Sequence, residues 1–157
     1  MQMSLRGRYA EYPVPGVFSH KPVISSKRIT TMPYVANVSD AEARKGQFIG
    51  NGQCVTFVHA AVSIPPTVAW HKGEKVKDVT SLRPGTVIAT FDKNGQYGNH
   101  TNGSSHAAIY LGQDLSGIKV LDQWSGPKAN PVHERTIRFM NGRGFKVNDG
   151  DQFYVVE

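Results

Sequence analysis

The chain is short of cysteine, of long apolar runs and of charge imbalance in its main body. Each shortage removes a class of function. A single cysteine, Cys54, excludes an internal disulfide and any cysteine-rich zinc site. The histidines at 20, 59, 71, 100, 106 and 133 form no HExxH or HxxxH pair, so neither a metal site nor a cofactor is expected. No apolar run approaches the ~20 residues that a membrane span needs. The N-terminus lacks the charged start, apolar stretch and small-residue cleavage site of a signal peptide. The expectation is a chain made in the cytoplasm without a signal peptide, which other machinery must carry if it acts elsewhere.

The formal charge of +6 is unevenly spread. Residues 1–32 hold five basic residues (Arg6, Arg8, Lys21, Lys27, Arg28) against Glu11 alone, and the other 125 residues hold thirteen basic and eleven acidic ones. A nucleic-acid surface gathers charge on a folded face with aromatics interleaved. No such cluster occurs, so no nucleic-acid partner is expected.

At 157 residues the chain fits one domain with one core. Residues 1–32 carry Pro13, Pro15 and Pro22 and no clear period, and read as a basic, extended, poorly ordered leader, with room for a short strand inside Pro22 to Ile29. Residues 33–157 read as the compact domain. Ser39 and Glu42 fit a capping box for a helix of about two turns ending at Gly46. Gly50-Asn51-Gly52-Gln53 reads as a sharp turn, and Cys54 to Ser63 as a helix stopped by Pro65-Pro66. Trp70 to Lys77 reads as a surface connection with a Trp anchor. Strands are expected over Thr86 to Phe91, His106 to Leu111, Ile118 to Trp124, Thr136 to Met140 and Phe153 to Glu157. A polar, Gly/Asn-rich loop fills 92–105, the kind of segment that often carries function. Helices first and strands after give an α+β domain, with N-terminal helices packed on a small antiparallel β-sheet.

Chemistry concentrates on Cys54. A thiol in the first turn of a helix meets unpaired backbone N–H groups and the positive end of the helix dipole, which favour thiolate. The same N–H groups suit an oxyanion beside the sulfur, and the preceding glycines let a substrate approach the backbone. At about 100° per residue, Val55, Val58 and Val62 share the core face, with Cys54 at its edge. His59 lies about 140° from Cys54 and is badly placed to pair with it. A cysteine nucleophile needs a base and the base an orienter. His106, at a strand start beside the small Ala107 and Ala108, is the first candidate base, and His100 in the loop the second. If the strands around His106 and Asp122 pair, register decides whether Asp122 or Gln123 faces the imidazole. A carboxylate stabilises imidazolium better, which favours Asp122, with Gln123 as the alternative.

Gly52-Gln53-Cys54-Val55-Thr56-Phe57, Ser105-His106-Ala107-Ala108-Ile109-Tyr110 and Leu121-Asp122-Gln123-Trp124 together resemble the CHAP and NlpC/P60 amidases, papain-like cysteine hydrolases of peptidoglycan. The Arg83-Pro84-Gly85-Thr86 turn is similar to their Pro-Gly-Asp turn, with Thr86 in place of the usual Asp. Within that group the chain, from about Pro33 to Glu157, most resembles the small amidase effectors of type VI secretion systems.

The resemblance implies a papain-like fold and a concrete reaction. Cys54 attacks an amide of the peptide stem or cross-link, expected next to meso-diaminopimelate. His106 moves the proton, Asp122 orients His106, and the Cys54 N–H with the Gln53 side chain holds the oxyanion. It further implies secretion-apparatus components and a cognate immunity protein as partners, and action in the periplasm of a target cell. Two other readings fit the residues: a Cys-His acyltransferase or protease acting on a protein, and a non-catalytic basic module that binds cell wall.

Overall fold

The computed structural model describes residues 32–157. Apart from Met32, the leader expected over 1–32, with the strand expected inside it, lies outside the described residues. Two helices, α1 (Val38–Glu42) and α2 (Cys54–Ala61), precede six strands. The strands are β1 (Lys72–Lys75), β2 (Val87–Thr90), β3 (Ala107–Gln113), β4 (Gly117–Trp124), β5 (Asn130–Arg138) and β6 (Phe153–Val156). They form one antiparallel sheet in the order β1-β6-β2-β3-β4-β5. This is the expected α+β arrangement.

Side chains alternate across a strand, and the sheet buries both faces. Val87, Ala89, Ala107, Ile109 and Leu121 pack with Phe57 and Val58 of α2 and with Trp70. Ile88, Ala108, Tyr110, Val120, Ile137, Phe153 and Val155 form the other cluster. Of the three valines expected on the inner face of α2, Val58 is fully buried, while Val55 and Val62 are half-buried. Phe57 supplies the second buried side chain.

Four details differ from the sequence reading. The cap of α1 is Asn37, whose Oδ1 accepts from Asp40 N–H at 3.1 Å, so Ser39 lies inside the helix. An Asn carboxamide caps as well as a Ser hydroxyl, and the helix closes at Glu42 rather than running to Gly46. The segment after Trp70 is edge strand β1, tied by His71 and Glu157 through paired backbone bonds of 2.6 and 2.9 Å. Its sequence KGEK hid this, because edge strands are often charged. Trp70 itself is fully buried. Strand β5 begins at Asn130, six residues before the expected Thr136.

The turn before β2 explains its Thr. Gly85 takes φ +96°, Thr86 N–H closes the turn on Arg83 O at 3.2 Å, and the Thr86 hydroxyl donates to the same carbonyl at 2.6 Å. Pro84 and Gly85 occupy the positions that Pro and a positive-φ Gly favour in such a turn. A Cβ on Gly85 would stand 2.3 Å from Ala36 O.

Trp70 joins the helix layer to the loop over the site. Its indole N–H donates to Pro65 O at 2.8 Å, and its ring lies 5.1 Å from that of Tyr97. Trp70→Ala is expected to lower stability by about 3–5 kcal/mol, read from chemical denaturation.

Candidate active site

The Gly50-Asn51-Gly52-Gln53 turn folds as it does because two glycines take positive φ, +59° and +80°. Asn51 Oδ1 accepts from Gln53 N–H at 3.0 Å, and Thr56 Oγ1 donates within 2.8 Å of Gln53 O. From the sheet, Gln123 reaches the same turn. Its Nε2 donates to Ile49 O (2.8 Å) and Gln53 O (2.9 Å), while its Oε1 accepts from Ile49 N–H (2.9 Å). The turn therefore delivers Cys54 at the first position of α2, where backbone N–H groups have no helical acceptor. Gln53 makes no side-chain cap bond and lines the cleft.

His106 stands just before β3. Its backbone N–H donates to Thr90 Oγ1 at 3.0 Å, and its ring is held edge-on by Trp124 and Phe153, each 6.4 Å away. His106 Nε2 lies 2.7 Å from Asp122 Oδ2, which leaves Nδ1 for the Cys54 thiol. The register pairing Ile109 with Leu121 puts Asp122 across from Ala108, diagonal to His106 on the same face. A position directly opposite His106, as the sequence reading pictured it, is therefore not the one found. Gln123 points to the other face and serves the Cys54 turn instead. His100 pairs with Asp92 at 2.8 Å, and His59 is exposed beside Trp70.

Three residues of the site escaped the sequence reading. Arg135 Nε donates to Asp122 Oδ2 at 2.8 Å, and its guanidinium lies 5.1 Å over the Trp124 ring. Tyr97, buried, brings its hydroxyl to 3.6 Å from the sulfur. His133 Nε2 stands 3.7 Å from Asp122 Oδ1. The available signals were the lone aromatic in the polar 92–105 loop and the period-2 spacing of His133, Arg135 and Ile137. Neither carries weight without the β4–β5 register.

The electrostatics follow from burial against pairing. Burial pushes the Cys54 thiol up, but the His106 hydrogen bond and charge, with the Tyr97 hydroxyl and Ala107 backbone, bring it from 9.0 down to about 7. Burial pushes His106 down, but the bonds to Asp122 and Cys54 lift it to about 9. Burial pushes Asp122 up, and His106 and Arg135 hold it below the usual carboxylate range. Between those values the pair favours thiolate and imidazolium. The cleft has a volume of about 470 Å³ and is lined by Gln53, Cys54, Tyr97, His106 and Trp124, among others. No group of three or more metal-ligating side chains occurs among the described residues, and no described helix is long and apolar enough to cross a membrane. The arrangement can activate a thiol and carry a proton to a leaving group.

Residues 28–156 match the family profile of domesticated amidase effector 2. A type VI secretion amidase effector 2 protein of Salmonella typhi is 36% identical over 137 residues, covering 80% of this chain and 100% of the relative. A domesticated amidase effector 2 of Ixodes scapularis is 41% identical over 92 residues, 58% of each chain. A solved type 6 secretion amidase effector 2 superposes with a TM-score of 0.68 at 34% identity, covering 80% of this chain and 95% of the other. That likeness carries the papain-like fold.

Alkylation of Cys54 by iodoacetamide should titrate with a midpoint of about 7. In His106→Ala the lowering influence is gone and burial remains, so the midpoint should move up. A midpoint unchanged by that substitution would show that His106 does not set the thiol.

Proposed function

The chain belongs to the domesticated amidase effector 2 family, and from that membership we propose that it hydrolyses an amide of the peptidoglycan peptide stem or cross-link through Cys54 and His106. The observation that carries the reading is the meeting of Cys54 and His106 in one cleft, with buried Asp122 bonded to His106 behind it, in a chain whose relatives are named amidase effectors. The expected bond is one next to meso-diaminopimelate. As in its type VI secretion relatives, the chain acts as an antibacterial toxin. Its carriers are components of that secretion apparatus, its site of action is the periplasm of the target cell, and a cognate immunity protein protects the producer.

The reaction runs in two halves. Cys54 Sγ forms a bond to the amide carbonyl carbon, and the carbonyl oxygen takes the electron pair. The Cys54 backbone N–H and the Gln53 side chain stabilise that oxyanion. Collapse breaks the C–N bond as His106 Nδ1 gives its proton to the departing amine. Water then attacks the thioester, His106 takes the water's proton, and the C–S bond breaks to return thiolate and imidazolium. Asp122 holds His106 Nε2–H throughout, so the ring keeps the orientation the proton transfers need.

Purified sacculi digested by the wild type should release muropeptides. Cys54→Ala should release none, and His106→Ala should be slower by about 10²–10⁴-fold. Intact sacculi with all three chains would sink the reading. The pH dependence has a definite sign. Cys54 must be deprotonated and His106 protonated, so kcat/KM should rise as pH passes about 7 and fall as it passes about 9. Asp122→Asn removes the anion that lifts His106, so the alkaline limb should move to lower pH.

A further inference from the structure

We propose that Lys128 is a substrate-specificity residue: its ammonium binds a free carboxylate of the peptide beside the amide that Cys54 attacks. The inference rests on the hydrolase reading of the same cleft and names the feature of the substrate that the cleft selects.

Apart from the Cys54 sulfur and the Tyr97 hydroxyl, the ionisable side chains that line the cleft are basic. Its lining includes Lys128, Arg135, His100 and His106, and no Asp or Glu. Three of these basic groups already have acidic partners within the protein. His106 and Arg135 share Asp122 Oδ2, and His100 pairs with Asp92. Arg135 is further fixed by Nη1 to Asn148 Oδ1 at 3.3 Å and Nη2 to Val147 O at 3.5 Å. Among the described residues, the Lys128 ammonium has no hydrogen-bond or ion-pair partner. It is the charge in the lining left over for a ligand.

The backbone beneath that ammonium is built in relation to the reacting pair. Gly126-Pro127-Lys128-Ala129 is a tight turn closed by Ala129 N–H on Gly126 O at 3.0 Å, with Pro127 at the position that favours its fixed φ. The Trp124 indole N–H donates to Lys128 O at 2.6 Å, and the same ring packs against His106. The root of the lysine is thereby tied to the histidine, while its four-carbon stem stays free to follow a ligand. A lysine is a compact point charge without the directional fork of arginine, so it suits a carboxylate on a flexible peptide. Carboxylates are the anionic groups that peptide substrates bear.

The test uses the full chain and synthetic cross-linked stem-peptide dimers. One dimer has every carboxylate free, and in the others a single carboxylate is amidated. On the free-acid dimer, Lys128→Ala should raise KM about tenfold with kcat changed less than about twofold, and Lys128→Arg should restore most of the loss. One amidation should raise the wild-type KM by a similar factor and add nothing to that of Lys128→Ala. A second arm measures dimer affinity by calorimetry in the Cys54→Ala background, where Lys128→Ala should weaken binding about tenfold. Absence of cleavage by the wild type overturns the hydrolase reading, and the affinity arm still decides the role of Lys128. Unchanged KM and affinity in Lys128→Ala, or amidation penalties that add in full for every dimer, overturn the proposal.

Discussion

A carboxylate with no solvent exposure holds the site together. Asp122 Oδ2 accepts from His106 Nε2 at 2.7 Å and from Arg135 Nε at 2.8 Å. Burying a lone carboxylate is costly, and two cationic partners are what keep this one ionised. The consequence runs outward. An ionised Asp122 favours imidazolium at His106, and imidazolium at His106 favours thiolate at Cys54. The other carboxylate oxygen makes no hydrogen bond, with His133 3.7 Å away. Both hydrogen bonds of the Asp122 side chain therefore fall on the one oxygen that His106 and Arg135 share.

Strand β4 divides its labour between adjacent residues. Asp122 and Gln123 face opposite sides of the sheet, as period-2 alternation requires. Asp122 holds the His106 ring. Gln123, fully buried, clamps the turn that carries Cys54. One strand thus fixes both halves of the candidate pair, from its two faces. Trp124 continues the first face, packing on His106 and His133 and pinning the turn that bears Lys128. Tyr97 comes from the loop on the other side and rests on Trp70, which links the sulfur's polar neighbour to the core.

The α+β class, the helix beginning at Cys54 and the strands flanking Asp114 to Ser116 were legible because each depends on local signals. Glycine punctuation, a proline stop and β-branched runs mark them. What could not be read depends on pairing across the sheet. The charged KGEK strand has no apolar pattern and is a strand only because β6 lies beside it. Asn37 competed with a better-known capping pattern two residues later. Arg135 and His133 reach Asp122 only through the β4–β5 register, which pairs Asp122 with His133 and Val120 with Arg135. Tyr97 was hidden in a loop whose composition says surface, and whose one ring turns inward. Asp122 and Gln123 were both visible as candidates. Chain order alone does not say which face each takes, because a slip of one residue exchanges them.

The thiolate–imidazolium pair depends on the protonation of one ring. Nuclear magnetic resonance of His106, ring-labelled with ¹⁵N in the full chain and followed across pH, reads that state at each nitrogen. The ring should be an imidazolium that persists through neutral pH and loses its proton at about 9. A ring that is neutral at pH 7, titrating at or below the ordinary 6.5, would contradict the thiolate–imidazolium pair.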